Sequence, residues 1–217
     1  MNTFLMILLS AVWSSYSNKT YHTHAECEFN TTEKRVMEVV NKFIYEFQAD
    51  VNNLFTWAYI GTGNEANTDR DAIGIKYKEC HYDPETRDSY NIVDVLLNGK
   101  PAFKDRRIGG HYTETMVDST RNIRLDIDYS GSMLDKADAQ FHITPLDSNL
   151  VRVRLEINLK LGWFINLFMT NRIWVNNVEW RIGVILDNLK EYAETGTVTK
   201  KSQENAIRKV KRRKSLE

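Results

Sequence analysis

The passage LVRVRLEINLKL, Leu150 to Leu161, alternates apolar and polar residues without a break. Val151, Val153, Leu155, Ile157, Leu159 and Leu161 oppose Arg152, Arg154, Glu156, Asn158 and Lys160. A strand sends successive side chains to opposite faces, so this passage makes one dry face and one wet face. The segments AIGIKYKECHY, SYNIVDVLL, GGHYTETMV, NIRLDIDYSG and KADAQFHITPL show the same period. In NIRLDIDYSG, Ile123, Leu125, Ile127 and Tyr129 face one way while Arg124, Asp126 and Asp128 face the other. The intervening DPETRDS, STRN and PLDSN supply turn chemistry. The pattern predicts an antiparallel sheet with one solvated face. Its dry face needs a cover, and covers come from helices.

Two stretches have helical periodicity. HTHAECEFN reads as a first strand with Ala25, Cys27 and Phe29 inward. It leads into a helix, with Asn30 as its expected cap and Glu33 three residues on completing a capping box. Val36, Val39, Val40, Phe43, Ile44, Phe47 and Val51 then form one apolar stripe. After Gly162, a second and longer helix is expected. Trp163, Phe164, Leu167, Trp174, Val178, Ile182, Ile185, Leu189 and Tyr192 fall on one stripe at about 100° per residue, and Gly196 ends it. Asn171, Arg172 and Glu179 interrupt the apolar run, so it reads as an amphipathic cover, not a membrane span. Between the first helix and the sheet, IGTGNEANTDRDAIG has turn composition without a phosphate-binding fingerprint and reads as a connector.

The length, 217 residues, suits one domain. Lysine plus arginine equals aspartate plus glutamate at 29 each, so no global field draws the chain to nucleic acid. Cys27 and Cys80 are too few for a disulfide scaffold and lack zinc-site spacing; whether they pair stays open. His22 and His24 share a strand face without a convincing third ligand, and His111 and His142 lack the nucleophile or paired carboxylate of an acid–base site. No metal ligand, cofactor or catalytic residue is therefore assigned. Asn18-Lys-Thr and Asn30-Thr-Thr match the glycosylation acceptor, a short motif with many chance matches.

Both ends differ from the middle. Residues 1–20 carry an apolar run from Phe4 to Trp13, with Ser15 and Ser17 spaced for leader cleavage but no lysine or arginine ahead of the run. A signal peptide and an N-terminal helix or anchor both remain open, and with them export or a cytoplasmic location. Residues 196–217 hold a basic cluster at Arg208, Lys209, Lys211, Arg212, Arg213 and Lys214. It reads as a solvated tail with the charge to contact an anionic membrane or RNA, of which nucleic acid is the less expected partner. Residues 21–195 form the expected domain.

The order strand, helix, antiparallel strands, long C-terminal helix resembles the START-like superfamily, which includes lipid-transfer domains and polyketide cyclases. The likeness rests on element order, on HITPLDSNLVRVRLEINLKLG and on the helix ending ILDNLKEYAE. The turn carries Asp147, Ser148 and Asn149, where the superfamily usually has a glycine followed by threonine. The resemblance implies an α+β helix-grip fold, a curved antiparallel sheet wrapped around the long C-terminal helix. It also implies a cavity between them for a lipid or other apolar or amphipathic small molecule. Polar Asn171 and Arg181 on or beside the helix stripe would orient the ligand's head. Tyr77, Tyr129, Phe141, Trp174 and Val178 would form its apolar wall. A cyclase-type enzyme using the same cavity and a co-chaperone-like interaction module are the alternatives.

Overall fold

The computed structural model describes residues 10–49, 57–58, 73–97, 100–128 and 133–199. Residues 1–9, most of the expected connector, Tyr129 and the basic tail lie outside them, as do Val51 and the side chain of Phe47.

Eight strands form one antiparallel sheet: β1 Ala11–Ser17, β2 Thr20–Phe29, β3 Ile73–Asp83, β4 Asp88–Leu97, β5 Lys100–Val117, β6 Thr120–Asp128, β7 Leu134–Asp147 and β8 Leu150–Leu161. Their spatial order is β1-β2-β8-β7-β6-β5-β4-β3, so α1, Glu33–Ala49, and the long stretch between β2 and β3 separate the first hairpin from the rest. The period-two segments all became strands, and LVRVRLEINLKL became β8 end to end. Strand β5 begins nine residues before GGHYTETMV, at Lys100. KPAFKDRRI hides its alternation behind a proline and clustered charge, and the pairing to β4 shifts register there.

The N-terminal stretch is not helical over its described part. Ala11–Ser17 form an edge strand joined to β2 through Asn18 and Lys19, both at positive φ. Two such residues are the signature of the primed turn that matches strand twist. Trp13 stacks on His24, and Val12 packs beneath the last helix.

The first helix starts two residues later than the capping-box reading placed it. Thr32 accepts from the Arg35 amide through Oγ1, while Asn30 donates to Glu194 and Glu33 pairs with Arg121. The reciprocal bonds of a box are thus replaced by ties to the last helix and the sheet.

The expected helix over 163–195 is broken. A single turn, α2, spans Trp163–Asn166; the chain leaves the helix, and Thr170 caps a new one through Oγ1 to the Ile173 amide. From there α3 Asn171–Trp174, a π-helical turn Val175–Glu179 and α4 Trp180–Thr195 run on, ending at Gly196 with φ 80°. An extra residue in the π turn rotates the succeeding residues by about 100° relative to a straight α-helix. The single stripe assumed for the sequence therefore does not exist. Trp163 and Leu167 point to solvent, and Asn171 is exposed at the first turn of α3.

The whole is the helix-grip α+β arrangement, with the sheet's concave face covered by α4 and one end closed by α1. Val36, Val39 and Val40 of α1 meet Ile143, Val151 and Val153 of the sheet and Leu186 and Leu189 of α4. At the other end Tyr21, Val93, Val95, Leu161, Ile165 and Trp174 form a second buried group. Each fully buried aliphatic side chain contributes on the order of 1.5–3 kcal/mol.

Candidate functional site

Between these two buried groups one row of the concave face is less buried than its neighbours. One cross-strand row carries Thr23, Ile157, Ala139, Leu125 and Tyr112 on β2, β8, β7, β6 and β5. The neighbouring row, Ala25, Leu155, Phe141 and Ile123, is buried throughout. In the first row Thr23 is buried under Trp174, whose Nε1 donates to Thr23 Oγ1 at 2.8 Å. Ile157, Ala139, Leu125 and Tyr112 are only half-buried, although they lie on the dry phase of interior strands. A packed interior leaves no such accessible surface at the centre of a sheet. Across from them Val178 touches both buried groups, and Ile185 is half-buried beside it. At the α1 end of the row, Tyr112 also lines a recess of about 170 Å³ with Ile44, Tyr82 and Ile123 and the polar Asn41, Arg87, Thr113 and Glu114.

Polar groups gather on the β3–β5 side of this row. Asn91 is paired with Cys80 on β3 and Ile108 on β5, in phase with buried Ser89 and Val93. It is 9% exposed, and its Oδ1 is buried without a hydrogen-bond partner. An unsatisfied buried acceptor costs about 1–3 kcal/mol. Tyr77 feels Cys80 and Tyr112 beside it and the Arg181 guanidinium across from it. Burial, the largest influence, pushes its phenol above the ordinary tyrosine range. The phenol is therefore a neutral hydrogen-bonding group at physiological pH. Glu179, which the sequence presents as an interruption of an apolar run, is buried on the π turn.

Of the residues singled out from sequence, Tyr77 lies near Arg181 and Tyr112, and Val178 packs against both buried groups. Trp174, 1% exposed, stacks on Tyr21 with centroids 4.0 Å apart. Phe141 meets Phe43 of α1 edge-on at 6.2 Å. Both are packed among protein side chains. Asn171 is far out of phase with the interior, because the helix starts at that residue and not eight positions earlier. Tyr129 lies outside the described residues. Asn91 was missed, yet its signal was in SYNIVDVLL, where it shares the dry phase with Val93 and Val95. Ala139 and Ile157 gave no signal, since half-burial of an apolar residue depends on what stands opposite it.

The other reactive side chains lie elsewhere. All five histidines project from the convex side of the strands. His22 bonds Asn158, His24 and His142 flank Glu156, His111 meets Asp88, and His81 stacks on Tyr90. Neither cysteine is in a disulfide; burial pushes the Cys27 thiol up, leaving it a poor nucleophile. Among the described residues no three histidine, cysteine or acidic side chains are placed to hold a metal ion. No described helix is long and apolar enough to cross a membrane.

No family model matches the chain. No curated protein matches it either. Solved structures similar in fold include a START superfamily protein from Mycobacterium smegmatis, 12% identical over 81% of this chain and 99% of that one, with a TM-score of 0.47. A truncated norcoclaurine synthase from Thalictrum flavum is 7% identical over 85% of this chain and 98% of that one, with a TM-score of 0.45. The Zhui aromatase/cyclase from Streptomyces sp. R1128 is 9% identical over 83% of this chain and 99% of that one, with a TM-score of 0.42.

Proposed function

We propose that the protein is a non-catalytic carrier of an amphipathic small molecule, a lipid or a compound of similar shape, held between the sheet and the start of α4. The observation that carries this reading is the half-buried row Ile157, Ala139, Leu125 and Tyr112 at the centre of a face that should be dry. An apolar body laid along that row removes its surface from water, at about 25 cal/mol per Å². The unsatisfied Oδ1 of Asn91 sets the chemistry of the head. It demands a donor, so a head bearing a hydroxyl or amide fits.

The preference for a carrier over a cyclase-type enzyme rests on the side chains at hand. Acid–base catalysis needs a group titrating near the working pH. The histidines face away, and the Tyr77 phenol stays protonated. Native mass spectrometry and solvent extraction of the purified full chain test the proposal. A bound molecule with an apolar body and a donor-bearing head is expected; a ligand-free protein that takes up no long-chain alcohol or amide on addition overturns it.

A further inference from the structure

Eighteen residues, Leu161 to Val178, contain a single charged side chain, Arg172, and part of this apolar stretch is on the outside. Trp163 is 70% exposed, Leu167 69% and Phe168 54%. They form one continuous tip. Phe164 meets Trp163 at 5.8 Å, Phe168 at 5.3 Å and Phe103 of β5 at 5.8 Å between ring centroids. The same turn is anchored from below, because Ile165 is buried and Phe164 and Met169 pack on the adjacent core. The exposed side chains are thus held outward by a fixed base. Leaving such a tip in water is unfavourable, and its size and contiguity mark a surface that meets an apolar phase.

The surroundings are cationic. Arg106 lies 5.7 Å from the Phe103 ring that joins the tip, and Arg172 is exposed on α3. Among the described residues neither arginine has a carboxylate partner. Exposed aromatic and aliphatic side chains, with Arg106 beside the ring that joins them and Arg172 four residues on from Phe168, complement the acyl boundary and headgroups of an anionic bilayer.

We propose that Trp163, Leu167 and Phe168 insert into the surface of a membrane containing anionic lipid, docking the protein through the α2 turn. This attachment differs from contact through the basic tail and does not depend on the interior being able to hold a ligand. Flotation of the full chain with phosphatidylcholine vesicles, with and without one-third phosphatidylserine, tests it. The protein is expected to float with the anionic vesicles and more weakly with neutral ones or at high salt. The L167S/F168S variant is expected to lose at least about ten-fold in partitioning at unchanged melting temperature, as burial of two large apolar side chains requires. W163S is a second variant expected to weaken flotation. R212Q/R213Q reports on the tail and should leave the dependence on Leu167 and Phe168 in place. The proposal is overturned if the wild type stays with neither vesicle, if L167S/F168S floats like the wild type, or if the tail variant alone abolishes flotation. A change in oligomeric mass in L167S/F168S without a change in flotation also overturns it, in favour of a second copy on this surface.

Discussion

Asn91 separates two requirements that most core positions combine. Its backbone belongs to an interior strand and its Oδ1 has no partner, so folding is opposed by the residue to which the proposed function gives the ligand's head. Asn91→Val introduces a strand former and removes the unpaired acceptor. The ligand-free variant is expected to gain about 1 kcal/mol in urea unfolding, while affinity for a hydroxyl- or amide-headed ligand falls about ten-fold. A loss of stability instead would mean that Oδ1 is satisfied in the free protein. Trp174 is the contrasting case. It carries the polar atom and aromatic surface that drew attention in the sequence, yet both are spent internally, on Thr23 and Tyr21. Composition shows a polar atom on a dry face; only the opposite side of the fold shows whether it is answered.

Among the elements, the strands were legible because burial alternates with the same period as the residues, whatever the partner strand. The last helix was legible only from α4 onward. Its earlier part was misread because a stripe calculation assumes a constant angle per residue, and the break at 167–170 with the π turn at 175–179 violates that assumption twice. Thr170 was a readable cap hidden among apolar neighbours. The edge strand β1 was masked by an apolar run resembling a leader, and its contact with α4 is testable. A Cβ on Gly183 would stand 2.8 Å from Val12 Cγ2, a stiff side chain. Gly183→Ala is expected to lower stability by about 1 kcal/mol, overpacking exceeding the gain in helix propensity. In a Val12→Ala background the same change is expected to be neutral or stabilising, and a double-mutant cycle by thermal melting reads the coupling. The β4–β5 pair offers a second test. Asp94 accepts from the Asp105 amide at 2.9 Å and meets Lys78 at 3.0 Å, and these bonds hold its carboxyl below the usual aspartate range. A depressed folded value gives stability that is present above about pH 4 and lost as pH falls through that folded value. Asp94→Asn is expected to lower the melting temperature at pH 7 and to flatten its decline below about pH 4.

For the whole molecule, the decisive quantity is the space between sheet and helix, because carrier, enzyme and surface-acting module share one backbone and differ in what the interior holds. The two buried groups secure the fold on either side of the half-buried row: α1 and the end of α4 on one side, Tyr21, Trp174 and the strand ends on the other. Ala139 stands between Leu125 and Ile157, at the middle of the half-buried row. Ala139→Phe therefore gives opposite results for an empty and a filled interior. In a filled core the added ring has nowhere to go, and overpacking costs about 1–3 kcal/mol. In an open one the ring buries new apolar surface without displacing a neighbour, so the ligand-free protein is expected to keep or raise its unfolding free energy. The ring would occupy the ligand's volume, so extraction of the variant should recover none of the molecule that accompanies the wild type. Unchanged stability together with undiminished ligand would place the ligand away from the row, whereas marked destabilisation without ligand in either protein would favour the surface-acting module.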